Sequence, residues 1–376
     1  MSAKEKTETW DESANIARFY GFEPTKSPHI TKQDFDSTKG FDPEAYPEEK
    51  ASLIRTYFEN KLWLNIQPVM FFLERPFHGS KEHKKPHKLE NALYVLGSNK
   101  SVCECLSIQT AISILENSGY RDIVLRLNSI GDKDSNADFT RKLSAHIKKN
   151  FNSYPQELKQ DLKKDIFLIF KKPKEYQSFI DECPKSIDFL TENSRKHFKE
   201  VLEFLEVLEI PYKIDHTILG DPQYSAETIF EIDSSKDEET LCKGFRFNRM
   251  AKKIGQKKEV ACVYINISAK LKKPIKKVKL KNSNPKAYLI QFGPEAKLKS
   301  FTILKQLFES GVYISHAIAK DKLSGQIGVA ESSDIPYILL LGQKEALEDS
   351  VVIRNNSNRA QEIVLIKDIG RRLKEL

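Results

Sequence analysis

PKSIDFLTENSRKHFKEVLEFLEVLEIPYKIDHTILGDPQYSAETIFEI, residues Pro184 to Ile232, is the stretch from which the fold of this chain can be worked out. Phe198, Val201, Leu202, Leu205 and Leu208 recur at helical spacing, so one stripe is apolar while Lys196, Lys199, Glu203 and Glu206 face water. Pro211 closes the pattern, because the residue before a proline avoids the helical region. The β-branched and aromatic runs Tyr212–Ile214 and Thr228–Ile232 then predict two short strands. The order is helix, strand, loop, strand, with the loop at Gly220–Ala226.

Working outward, Asp122–Gly131 alternates Ile123, Leu125 and Leu127 on one face, as a strand does, between helical stretches at 103–120 and 135–150. A lysine-rich helical segment fills about 150–195. Upstream, Pro47 opens a helix with Ala51, Leu53, Ile54, Tyr57 and Phe58 on its stripe, and Asn15–Phe22 reads as a helix stopped at Gly21. Residues 1–15 are polar and nearly free of β-branched types, and are expected to be disordered. From Pro285 onward short apolar strands alternate with helices, which predicts an α/β domain of about 90 residues with a largely parallel sheet. No glycine-rich phosphate loop accompanies it.

A length of 376 residues suits two or three domains, and 30% charged with 10% aromatic residues suits a water-soluble globular protein. The first fifteen residues lack the apolar core of a signal peptide, and no run approaches the roughly 20 apolar residues of a membrane span, so a cytoplasmic location without membrane contact is expected. Cys103, Cys105, Cys183, Cys242 and Cys262 are odd in number and lack paired zinc spacing, which fits a reducing compartment. The net charge of +8 is unevenly placed: Lys252–Lys281 holds eleven lysines and one acid, Glu259. Such a run either binds phosphates or is a solvated linker. His78, His83 and His87 share a lysine-rich loop with no well-placed fourth ligand, so no metal site is assigned.

The order and spelling of these pieces resemble the histidyl-tRNA synthetase family of class II aminoacyl-tRNA synthetases. The opening stretch matches a family helix leading to the loop R-G-L-D-Y-Y-T and a strand ending T-V-F-E. Phe71-Phe-Leu-Glu-Arg-Pro76, with Glu74, Gly79 and Gly97 in step, is similar to the second class II motif, F-R-Y-E-R-P. Leu127-Asn-Ser-Ile-Gly-Asp132 matches a family strand end, Pro47-Glu48 part of L-R-P-E-x-T-A, and Gly244 with Arg246 the signature G-G-R-Y-D-x-L. Lys322-Leu-x-x-Gln326, Leu341–Glu345 and Val351–Ile353 resemble the family's anticodon-binding domain. The resemblance implies an α+β core with an antiparallel sheet and flanking helices at 16–271, including the helical insertion, a lysine-rich linker at 272–284, and an α/β anticodon-binding-type domain at 285–376. It also implies a homodimer, and contact of the histidine-bearing loop with the acceptor end of RNA.

The chain departs from the family where chemistry is expected. The family's arginines fall on Phe72, Gly220 and Lys270, its threonine on Lys50, its loop aspartate on Gln223, and its signature aspartate on Asn248. Phenylalanine and glycine offer no fork of donors to a phosphate, and lysine keeps charge without the fork. The expected remnant is a small pocket drawing on Glu48, Glu74, Glu90, Gln223, Tyr224, Arg246 and Lys270, with Phe245, Phe247 and Ile267 adding bulk. RNA contacts are expected from Lys272, Lys273, Lys276, Lys277, Lys322, Gln326 and Arg354. Two functions compete: a degenerate paralogue that binds tRNA or regulates through a protein partner, and an active ligase charging tRNA with histidine. ATP and Mg would enter only with the second, and no other cofactor is implied. The family's activator of ATP phosphoribosyltransferase lacks a C-terminal domain like the one expected here.

Overall fold

The apolar stripe of the opening stretch forms the helix Glu192–Val207, which buries Phe198, Val201, Phe204 and Leu205. Thr191 caps it, its hydroxyl accepting from the Ser194 N–H at 3.4 Å. In this computed structural model, residues 10–41, 46–65, 67–74, 88–221, 223–237, 239–274, 277–278, 284–319 and 323–376 are described. The helix stops ahead of Pro211, where Glu209 adopts a left-handed φ of 55°. The two strands that follow, Tyr212–Ile214 and Ala226–Ser234, flank Ile123–Gly131 in parallel and antiparallel register.

They belong to an eight-stranded sheet in the order Glu23–Pro24, Val69–Glu74, Lys88–Leu96, Cys262–Lys270, Glu239–Arg246, Ala226–Ser234, Ile123–Gly131, Tyr212–Ile214. Only the two edge pairings are parallel; the rest are antiparallel. Alternation along each strand sorts side chains to two faces. Phe72, Leu93, Ile265, Ile267, Phe230 and Leu127 lie on one, in the main core shared with the helices Glu12–Phe19, Val102–Asn117 and Glu192–Val207. Leu73, Ala92, Tyr94, Cys262 and Tyr264 lie on the other, with residues of the helices Pro47–Glu59 and Met250–Lys253. Gly244 is required on its strand, because a Cβ there would come within 2.1 Å of the Phe230 ring. The lysine-rich insertion is helical and shares a separate core with the helix Lys133–Asn150, with Phe139 from that helix meeting Leu158, Ile169 and Tyr176.

The C-terminal sheet runs Ile314–His316, Ala287–Gln291, Tyr337–Leu341, Ser350–Asn355, Gln361–Leu365. Its first two pairings are parallel and its last two antiparallel, so it is mixed rather than largely parallel. The reason is chain length: residues 342–349 hold only the short helix Gln343–Leu347, whereas a parallel crossover needs a dozen residues or more. The long helix Pro294–Glu309 packs this domain on the core, with Phe301 5.1 Å from Phe204 and Phe308 5.2 Å from Phe19.

Residues 10–15 depart from what composition implied. Trp10–Asp11 pairs antiparallel with Lys277–Val278, and the helix Glu12–Phe19 buries Ser13 and Ala14. Residues 10–15 are therefore structured, and the lysine-rich connection carries a strand. The missing sequence signal is the pairing partner, which lies at the far end of the chain.

Candidate functional site

Tyr94, Tyr264 and Phe245 stand side by side on three adjacent strands, because Tyr94 is opposite Tyr264 and Tyr264 is opposite Phe245. Their ring centroids are 4.9 Å and 5.4 Å apart, and Phe247 meets Tyr94 and Phe245 edge-on at 6.3 Å. The helix Pro47–Glu59 delivers Lys50 into this group. Lys50 is 0% exposed, with its ammonium 3.2 Å from the Tyr264 ring centroid and 5.1 Å from that of Phe245. Ring faces attract a cation by about 2 kcal/mol or more when water is excluded. Next to it Glu49, also buried, accepts a hydrogen bond from the Tyr94 hydroxyl. Proline at the first helical position, after Tyr46 at φ 50°, starts this helix so that Glu49 and Lys50 are buried and Glu48 is half-buried.

The residues expected to line one pocket are divided between places. Tyr224 is buried in the aromatic group, 5.1 Å from Phe41 and 6.0 Å from Phe245, whereas Gln223 is exposed. Glu90 shares the face but is bound by Lys88 at 2.7 Å, and Lys270, opposite Lys88, is exposed and 3.7 Å from Glu239. Glu74 accepts from the Asp11 N–H. Phe72 and Ile267 are corrected to the opposite face, in the main core, since Phe72 pairs with Leu93 while its neighbours Phe71 and Leu73 belong with Tyr94. Asn248 accepts from the Cys262 N–H at 2.9 Å, a link that ties loop to strand. At Gly220 a Cβ would lie 2.7 Å from Ser225 Oγ and 2.9 Å from Ile229 Cδ1, so a larger residue there would require these side chains to shift.

Arg246 also lies on the main-core face, opposite Val263, not in the aromatic group. It is 0% exposed, donating to Glu104 Oε1 at 2.9 Å and to the Ser98 and Lys100 carbonyls at 2.8 and 3.1 Å. Its other contact with Glu104 makes the pair bidentate. His197 Nε2 is 2.6 Å from Glu104 Oε1. Burial alone would raise the Glu104 carboxyl, but Arg246 and His197 outweigh it and hold the group at about 2. Burial opposes protonation of His197, yet Glu104 prevails and raises it.

Sequence reasoning missed the inward turn of Glu49 and Lys50, and also Arg249, whose guanidinium donates to the Ser225 carbonyl beside the 220–226 loop. Nothing in periodicity marks a buried lysine. The Lys50 chain and the rings it meets occupy the middle of this face, and its carboxylates Glu49 and Glu90 contact Tyr94 and Lys88. Among the described residues no group of three metal-ligating side chains occurs. Arg75, His78, His83 and His87 lie outside the described residues.

Of the residues expected to contact RNA, Gln326 is corrected to a structural role. It is fully buried, and its amide bonds both the N–H and the C=O of Gln291 at 3.0 and 2.9 Å. Arg354 pairs with Glu331 at 2.9 Å, and Lys272 with Asp237 at 2.7 Å. Lys273 is exposed. Lys276 and Lys322 lie outside the described residues, and Lys277 is described only through its backbone pairing. No helix among the described residues is long and apolar enough to cross a membrane.

The family model described as "Anticodon binding domain" matches residues 286–376. The chain is 28% identical over 344 residues to a histidine–tRNA ligase of Listeria monocytogenes, covering 85% of this chain and 78% of that one. It is 25% identical over 343 residues to a histidine–tRNA ligase of Halothermothrix orenii, covering 88% and 81%. The crystal structure of apo histidyl-tRNA synthetase from S. aureus superposes with a TM-score of 0.53 at 19% identity, covering 96% of this chain and 93% of that one, which shows a shared fold. With a class II core followed by an anticodon-binding domain, the chain is similar over most of its length to histidine–tRNA ligases and shares the fold of a histidyl-tRNA synthetase.

Proposed function

We propose that this protein is a catalytically degenerate member of the family that binds tRNA, or regulates through a protein partner, and does not activate histidine. One observation carries the reading: the Lys50 ammonium is buried among Tyr264, Phe245 and Phe247 in the middle of the sheet face where a substrate would have to lie. Two further features support it. A Cβ at Gly220 would crowd the Ser225 and Ile229 side chains, and Lys270 is an exposed ammonium at the sheet's end. Removing one charge-assisted hydrogen bond to a reacting phosphate slows the chemical step about a hundredfold. The anticodon-binding domain at 286–376 supports tRNA as the ligand. The reading places the protein in the cytoplasm as a homodimer.

The second reading, an active ligase that charges tRNA with histidine, is favoured by the names of relatives that match over most of the chain. ATP–pyrophosphate exchange separates the two. The expected result is no histidine-dependent exchange above background; robust exchange at micromolar histidine would establish the ligase and end the degenerate reading.

A further inference from the structure

We propose that the outer edge of the C-terminal sheet, the strand Gln361–Leu365, pairs with the same strand of a second copy of this chain, antiparallel about a two-fold axis through Ile363. This strand ends the sheet, and among the described residues Ser350–Asn355 is its only strand partner.

Its backbone shows which groups the edge offers. On the inner side the Ala360 carbonyl accepts from the Asn355 N–H at 2.9 Å, and the Ile366 N–H donates to the Asp349 carbonyl at 2.8 Å. Every second residue of an antiparallel strand bonds to a given neighbour, so Glu362 and Val364 also face inward. Gln361, Ile363 and Leu365 therefore turn their N–H and C=O outward, and among the described residues no turn, loop or side chain takes them.

The side chains of this edge are apolar where they meet water. Ile363 is 70% exposed and Leu365 46%, beside half-buried Val352 and Leu340 on the adjacent strands. Exposed edges are normally blunted by a proline, a lysine or a bulge. This strand has neither residue, and its pairing with Ser350–Asn355 runs without a shift of register.

A second copy fits because the register about Ile363 is self-complementary. Ile363 meets the partner's Ile363 and Gln361 meets the partner's Leu365, so every outward N–H finds an outward C=O. Moving the axis to Glu362 or Val364 would leave Leu365 or Gln361 facing residues outside the strand. Glu362, the strand's one charged residue, comes opposite the partner's Val364, and its carboxylate is already held by Arg372 at 2.9 and 3.0 Å. Past the strand ends Arg359 comes near the partner's Lys367, but Arg359 is held by Glu331 at 3.0 Å.

Light scattering on the full chain at about 100 μM tests this, since a contact with a dissociation constant of about 10 μM is mostly formed there. Each contact at this edge joins two particles, so Ile363→Pro should at least halve the mass, whether or not the chain also pairs through another surface. Proline there removes an outward N–H and no bond to Ser350–Asn355, so the melting curve should stay unchanged. If that variant melts early, Ile363→Lys keeps the backbone intact, sets like charges against each other across the axis, and should lower the mass equally. In hydrogen exchange the Ile363 and Leu365 amides of the unmodified chain should slow as concentration rises. A monomeric unmodified chain, a mass that neither variant lowers, or fast exchange at these amides at every concentration overturns the proposal. None of these outcomes bears on histidine activation, which the pyrophosphate assay reads separately.

Discussion

Replacing Arg246 by methionine tests whether this family-signature arginine serves the fold rather than a ligand. The change removes both hydrogen bonds to Glu104 and the donors to the Ser98 and Lys100 carbonyls, all at a side chain with no exposure. Breaking one side of a buried ion pair costs about 3–5 kcal/mol, since the remaining charge stays buried. His197 still faces Glu104, and the orphaned acceptors add to the cost without simple additivity, so a loss of about 4 kcal/mol is expected. Urea unfolding of the whole chain reads it as a lower midpoint. Arg246→Met with Glu104→Leu should regain more than half of the loss, because no buried charge is then left alone. Acid provides a second readout. Glu104 titrates at about 2 when folded against 4.5 ordinarily, so its contribution is full above 4.5 and fades as pH falls toward 2. His197 is shifted upward, so its contribution is full below 6.5 and is lost as pH rises through its folded value. Arg246→Met should blunt the acid limb. A cost below about 1 kcal/mol, or a double variant no better than the single one, would refute the structural role.

Gln326→Ala should destabilise the C-terminal domain by about 1–3 kcal/mol by orphaning the Gln291 N–H and C=O, while leaving RNA affinity per folded molecule unchanged; a specific loss of RNA binding at equal stability would restore Gln326 as a contact. Replacing Lys272, Lys273, Lys276 and Lys277 by alanine should flatten the plot of log tRNA affinity against log salt, with Lys273→Ala changing the slope more than Lys272→Ala because Asp237 already holds Lys272. An unchanged slope would identify the run as a linker that contacts no phosphate.

The sequence by itself determined the elements and their type wherever pattern and local signals agreed. The stripe from Phe198 to Leu208, the alternation around Leu125 and the proline at 47 are local facts, and the helix Glu192–Val207, the strand Ile123–Gly131 and the helix Pro47–Glu59 follow from them. The resemblance to the histidyl-tRNA synthetase family was legible too, because its framework spellings lie in these same regular elements. What only the tertiary structure decided was which face each side chain joins and what meets it there. Phe72, Arg246 and Ile267 were placed with the pocket by their position in motifs, yet strand register sends all three to the opposite face, where Arg246 meets a glutamate 142 positions away in sequence. The turn of the C-terminal sheet from parallel to antiparallel hangs on a connection too short to cross over, and the order at Trp10 on a strand near the end of the lysine run. Lys50 is the sharpest case: a lysine in a helix reads as solvated, and only the meeting of that helix with Tyr264 and Phe245 makes it a buried cation. Local pattern reports what a residue prefers for its backbone; its partners are set by contacts between distant segments, which pattern does not encode.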